Sequence, residues 1–278
     1  MSKKIVTIGN IKAGSDRLFL ISGPSVIEDE IVMMKAAEKL KHVSERLDIP
    51  VVYKSSFLKD SRSSVNYYKG PGLDEGLRIL QKVKEQFGFP LLTDIHYPDQ
   101  AAPAAEVVDV LQIPAYLCMQ TTLVVAAAKT RAVVNLEHGQ FLAPEHMIKP
   151  AQKIESVGNA NIILTELGYT FGYNDMVVDP RSFYEMSRTG YPIVFNVTHS
   201  IRNYGNPSAD PSYGAHQYLP VLGRAGVASG VDGLLVEVHP SPSEALCDAA
   251  SQLDMNQLEE FLKPLIELHA VEVKYRNR

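Results

Sequence analysis

An α/β chain folded as a (β/α)8 TIM barrel, with a short N-terminal β-hairpin, is what this sequence predicts, on three observations. Short apolar runs alternate with helix-period segments eight times, no linker or low-complexity tract interrupts them, and 278 residues suit one such barrel. The whole chain, 1–278, therefore reads as a single domain. A doubly wound sheet is the alternative that the same rhythm allows.

The order begins with a hairpin over Ile5–Ile8 and Ile11–Ala13. The predicted strands are Leu18–Ser22, Val51–Lys54, Pro90–Thr93, Val110–Ile113, Val133–Leu136, Ile162–Glu166, Ile193–Val197 and Gly233–Val238. Each is largely apolar, as expected when both faces of a parallel sheet are covered. The predicted helices are Glu28–Arg46, Leu73–Phe87, Asp99–Val107, Thr121–Thr130, Pro144–Val157, Arg181–Thr189, Ala215–Ser229 and Met255–Glu272. "KGPGLDEGLRIL" (Lys69–Leu80) is a tight turn feeding the second helix. Arg202–Gly214 is the longest loop-like stretch and a candidate lid, and "GYTFGY" (Gly168–Tyr173) suits core packing or a pocket wall.

Composition excludes several classes. A net charge of −5 without a basic run argues against nucleic acid. No apolar run approaches the roughly 18 residues of a membrane span, and the N-terminus lacks a secretory pattern, so a cytoplasmic protein is expected. Cys118 and Cys247 are in no C-x-x-C arrangement, fit a reducing compartment, and read as small buried residues.

In a barrel, residues just after each strand converge on one mouth, where such folds do chemistry. Lys54, Ser55, Ser56, Lys59, Arg62, Ser63 and Ser64 follow strand 2, and Asp94 and His96 follow strand 3. Strands 5 to 8 add Glu137, His138, Glu166, Asn196, His199, Glu237, His239 and Asp248. His199, Glu237 and Asp248 suit a divalent cation such as manganese, iron or zinc, with hydrogen bonding as the other use for the same groups. Lys54, Lys59 and Arg62 among serines suit a phosphate or carboxylate, and Lys54 at the end of an apolar strand needs an anion. Glu137 and His138 end the fifth strand as a possible acid/base pair.

These motifs also carry a resemblance. "SGPSVIE", "SSVNYYKGPGLDEGLRIL", "LLTDIH", "LQIPAYLC", "GQFLAPEHM", "IILTELGYTFGY", "FNVTHS" and "EVHPSP" stand in the order of 3-deoxy-D-manno-octulosonate 8-phosphate synthases, from about Ile5 to about Leu268. The resemblance implies a homotetrameric barrel that condenses phosphoenolpyruvate with arabinose 5-phosphate for lipopolysaccharide biosynthesis. It implies that Lys54 and Lys59 face the enolpyruvate, that Arg62 and Ser63 hold the sugar phosphate, and that His199, Glu237 and Asp248 bind metal. Ser56, Asp94, Gln120 and Gln140 join the substrate-binding set, and Lys54, Lys59, His199 and Asp248 the catalytic one.

The chain departs from the family at the donor end. Met119 and Leu167 stand where the family has arginines, and Glu137 and His138 where it has two lysines. Leu58 and Ser61 replace an aspartate and a sugar-contacting asparagine, Asn196 replaces an aspartate, and Ser25 stands at a cysteine or asparagine position. The counterparts of Met119, His138 and Leu167 clamp the donor phosphate in the family. Charge-assisted hydrogen bonds contribute about 1.5–3 kcal/mol each, so losing three weakens that binding by about 4–9 kcal/mol. Two expectations follow: an aldol-type enzyme with a donor site remodelled for pyruvate or another 2-oxo acid, or a catalytically silent paralogue that binds a phosphosugar or assembles with an active relative.

Overall fold

The computed structural model describes residues 3–171, 175–203 and 206–276. Eight parallel strands form a closed barrel: β1 (Phe19–Gly23), β2 (Val51–Lys54), β3 (Leu91–Asp94), β4 (Val110–Ile113), β5 (Val133–Glu137), β6 (Ile162–Glu166), β7 (Ile193–Asn196) and β8 (Gly233–His239). Each pairs with the next, and β8 pairs back onto β1 from Gly233↔Phe19 to Glu237↔Gly23. Each is followed by its helix: α1 (Glu30–Leu47), α2 (Leu73–Phe87), α3 (Ala101–Ala105), α4 (Thr121–Lys129), α5 (Ile148–Glu155), α6 (Pro180–Ser187), α7 (Leu219–Ala228) and α8 (Leu258–Arg276). The predicted barrel is therefore the observed one.

The hairpin, Val6–Ile8 paired with Ile11–Ala13, supplies Val6, Ile8, Ile11 and Ala13 to an apolar cluster inside the barrel. Phe19, Ile21, Val52, Leu92, Val110, Val133, Ile163, Val194 and Leu235 complete that cluster. Their sequence neighbours Leu20, Tyr53, Leu91, Leu111, Val134, Leu136, Leu164, Phe195 and Val236 belong to the larger core shared with the helices. Successive strand residues point to opposite faces, so these two clusters define the inward parity of every strand.

Carrying that parity toward the C-terminal ends of the strands puts Lys54, Asp94, Gln112, Asn135, Glu137, Thr165, Asn196 and Glu237 inside. Above the apolar floor, Asn135 Nδ2 donates to Gln112 Oε1 (2.9 Å) and Thr165 Oγ1 donates to Asn135 Oδ1 (2.7 Å). This hydrogen-bonded step satisfies polar groups that the barrel interior would otherwise penalise. Gly23 is required where β1 meets β2, since a Cβ there would lie 2.0 Å from the carbonyl oxygen of Lys54.

Several element limits differ from the sequence expectation. β3 runs one residue later than Pro90–Thr93, which places Asp94 in the strand itself. The predicted third helix is a 3-10 turn (Pro98–Gln100) followed by Ala101–Ala105, and the fifth begins as a 3-10 turn over Pro144–Met147. Prolines at the first positions of both turns start the chain in helical φ without a donor to satisfy. The seventh helix starts at Leu219 and the eighth at Leu258, and the eighth extends to Arg276. A second antiparallel hairpin, Tyr169–Phe171 with Asp175–Val177, was not legible as strands. Residues 172–173 of "GYTFGY" and 204–205 of the candidate lid lie outside the described residues.

Candidate active site

A cavity of about 280 Å³ opens at the C-terminal mouth of the barrel. Lys54, Lys59, Arg62, Ser63, Asp94 and Gln140 line it, as do His199, Glu237, Asp248 and Leu167. Ser61, at the position of a sugar-contacting asparagine in the family, lines it too, as do Arg202, Asn206 and Ser208 from the candidate lid stretch, whereas sequence reasoning missed Gln112, Tyr116 and Cys247 as site members. Gln112 carried a signal, being a lone polar side chain in the apolar strand "VLQI". Nothing in the local sequence marks the others.

The cations and carboxylates of the cavity are interlocked. Lys54, almost wholly buried, pairs with Glu237 Oε1, while Lys59 Nζ lies 3.7 Å from Asp94 and 4.0 Å from Glu237. Burial alone would raise the Glu237 carboxyl, but the ammonium of Lys54 overrides it and holds it at about 2. Burial is likewise outweighed at Asp94, where Lys59 and Lys54 bring the carboxyl down to about 2. Ser56 is not at the cavity surface; its hydroxyl donates to Asp94 Oδ1 and supports that carboxylate from behind. His96 lines the cavity and accepts at Nε2 from the Asp60 N–H (3.4 Å).

His199, Glu237 and Asp248 offer ligand atoms that all lie within 4.8 Å of one another. His199 Nδ1 and Glu237 Oε2 are buried without a hydrogen-bond partner and stand 3.6 Å apart, while His199 Nε2 lies 3.8 Å from Asp248 Oδ2. Burial pushes the imidazole down to about 4, so it is neutral with a lone pair available. Orphaned atoms and a neutral imidazole beside two ionised carboxylates fit a divalent cation. Ser25 Oγ donates to Asp248 Oδ2 (2.9 Å), orienting that carboxylate from the adjoining loop.

Arg62 stands beside the same group. Its side chain is 5% exposed, its Nη1 lies 3.6 Å from Asp248 and 2.6 Å from Cys247 Sγ, and its Nε and Nη2 are buried without partners. A guanidinium with two unused donors beside Ser63 is suited to an oxyanion. Cys247 is buried, as expected, and burial pushes its thiol up to about 12.

Four predicted positions stand apart from the cavity lining. Gln120 is exposed at the start of α4, and Met119 beside it is 36% exposed, its carbonyl accepting from Lys153. Ser56 lies behind Asp94, and His138 lies behind the barrel wall. His138 Nδ1 donates to Glu166 Oε1 (3.2 Å) and Nε2 lies 3.0 Å from the Leu142 carbonyl. Strand parity is the cause: Glu137 faces inward with Asn135, so His138 faces the helices with Leu136. Of the two exchanged lysine positions, the cavity therefore receives the acid.

Residues 3–273 match the DAHP synthetase I family model. Relatives named "2-dehydro-3-deoxyphosphooctonate aldolase" are 51% identical in Trichlorobacter lovleyi and 49% identical in Geotalea uraniireducens, each over 96% of this chain and 98% of theirs. One from Pelobacter propionicus is 49% identical over 98% of this chain and 99% of its own. With the barrel and its mouth as described, the chain belongs to the 2-dehydro-3-deoxyphosphooctonate aldolases of the DAHP synthetase I family.

Proposed function

We propose that this chain catalyses aldol-type carbon–carbon bond formation, joining the three-carbon unit of an enolpyruvate or 2-oxo-acid donor to the aldehyde of a phosphosugar such as arabinose 5-phosphate. The observation that carries the reading is one cavity holding both an arginine with unused buried donors and a cation-ready His199–Glu237–Asp248 group. The relatives' name points to the same product class, a phosphorylated eight-carbon 3-deoxy-2-oxo acid.

Arg62 and Ser63 hold the sugar phosphate. Lys54 and Lys59 receive the donor carboxylate and the charge that develops on its oxygen, with Asp94, backed by Ser56, keeping both ammonium groups in place. Gln140 contributes a substrate hydrogen bond. His199, Glu237 and Asp248 would hold manganese, iron or zinc, which supplies Lewis-acid polarisation of a carbonyl oxygen when bound. The donor end is remodelled: Leu167 and Glu137 line it, and neither recognises a phosphate dianion. The assembly is a homotetramer in the cytoplasm, on the family resemblance. Among the described residues no helix is long and apolar enough to cross a membrane.

The test mixes the protein with arabinose 5-phosphate, a divalent metal and either phosphoenolpyruvate or pyruvate, and follows 3-deoxy-2-ulosonate formation and phosphate release. Product from pyruvate without phosphate is expected. Turnover at ordinary synthase rates with phosphoenolpyruvate defeats the remodelled donor, and no product from either defeats the reading.

A further inference from the structure

The four carboxyl groups lining the cavity have different surroundings. Asp94 has Lys59 at 3.7 Å, Glu237 is paired with Lys54, and Asp248 has Arg62 and Arg202 at 3.6 and 3.4 Å. Glu137 is the exception: among the described residues no cation forms an ion pair with it. It is 7% exposed, and its Oε1 accepts from Asn196 Nδ2 at 3.1 Å. The amide of Asn196 is fixed in turn, since its Oδ1 accepts from Thr198 Oγ1 (3.2 Å) and the His199 N–H (3.0 Å). Glu137 is thus oriented by a neutral donor and left unneutralised in the cavity.

That arrangement separates Glu137 chemically from its neighbours. Burial raises its carboxyl above the ordinary range, with Lys54, Asn196 and Lys59 pulling the other way, whereas Asp94 and Glu237 are held at about 2. Carboxyl groups whose environments push their proton affinities apart take different roles, and the one raised toward neutrality is the one able to accept and return a proton.

We propose that Glu137 is a catalytic base that removes a proton from the methyl carbon beside the carbonyl of a 2-oxo-acid donor such as pyruvate. This deepens the aldol reading above and rests on it. The C–H electron pair becomes the carbon–carbon double bond of the enolate, whose oxygen takes the negative charge next to Lys54 and Lys59. The enolate carbon then bonds to the aldehyde carbon of the phosphosugar. The carbonyl π pair moves to the aldehyde oxygen, which receives the proton held by Glu137, and the carboxylate is regenerated. No bond to phosphorus breaks and no further reactant is consumed. An enol phosphate arrives with its double bond made and needs no such base. A carboxylate in place of an anion cradle therefore selects a donor that must be enolised.

The experiment follows loss of the pyruvate methyl proton signal in D2O by NMR, with zinc present and no acceptor. The wild-type protein should exchange these protons, and Glu137→Gln should slow exchange by about 10²–10⁴-fold, with Glu137→Asp recovering part of the rate. Wild-type exchange should rise with pH through a midpoint above the usual glutamate range, and that rise should vanish in Glu137→Gln. Circular dichroism and melting of both variants separate loss of chemistry from loss of fold. Exchange by Glu137→Gln at the wild-type rate overturns the base and leaves the aldol reading standing. So does an absence of wild-type exchange when phosphoenolpyruvate and the phosphosugar give product and phosphate. Product from neither donor overturns the aldol reading and the base together.

Discussion

Glu137 and His138 are adjacent in sequence and lie on opposite sides of the barrel wall. The carboxyl of Glu137 lines the cavity and accepts from Asn196, while His138 is fully buried between Glu166 and the carbonyl of Leu142. The first is thereby available for chemistry, and the second ties the end of β6 to the loop after β5.

His138→Ala should cost stability and leave the cavity charges unchanged. Glu166 also accepts from the Leu167 and Gly168 N–H groups, yet losing the imidazole removes a side-chain partner from a fully buried carboxylate. Taking a hydrogen-bond partner from a buried acceptor costs about 1–3 kcal/mol. Chemical denaturation should show that loss, with metal content preserved.

Arg62→Ala should raise KM for the phosphosugar and leave the donor's KM nearly unchanged. Two charge-assisted hydrogen bonds at about 1.5–3 kcal/mol each correspond to a loss of at least about a hundredfold in phosphosugar affinity. Steady-state kinetics with each substrate varied in turn is the check.

His199→Ala and Asp248→Asn should each lower the metal content of protein purified without chelator. His199 follows β7, Glu237 lies in β8 and Asp248 in the connection after it, so none can replace another at the same point. Elemental analysis should read about one ion per chain for the wild type and far less for either variant.

Stability of the metal-free protein should fall steeply as pH drops from about 4 to about 2. The Asp94 carboxyl goes from 3.8 to about 2 on folding, so the unfolded chain binds the proton first and acid favours unfolding. The stabilisation is present above pH 3.8 and is lost through that window, about 2 kcal/mol for this one group. Melting temperatures across the window should be flatter for Asp94→Asn.

Much of the site is legible in the order of residues alone. Lys54, Asp94 and Glu237 each follow an apolar stretch at a strand's C-terminal end, where a buried charge makes sense only at a barrel mouth. Which of Glu137 and His138 faces inward is not legible from hydropathy, because a parallel barrel strand is apolar on both faces and shows no alternation. The clues are the polar residues of matching parity, Asn135 on the same strand and Gln112 and Thr165 beside it, and these gain meaning once strand register is known. Cys247, Asn206 and Ser208 reach the cavity from long connections whose path no periodicity describes.

The sequence by itself determined the barrel, its order of strands and helices, and the residues that could carry charge at its mouth, because these follow from local periodicity and composition. Only the tertiary structure decided which charges meet. It gathered His199, Glu237 and Asp248 within 4.8 Å, paired Lys54 with Glu237, sent His138 to the outer core, and left Glu137 inside with no ion pair among the described residues. Closure and shear of the sheet set those distances, and they arise from the pairing of strands far apart in the chain.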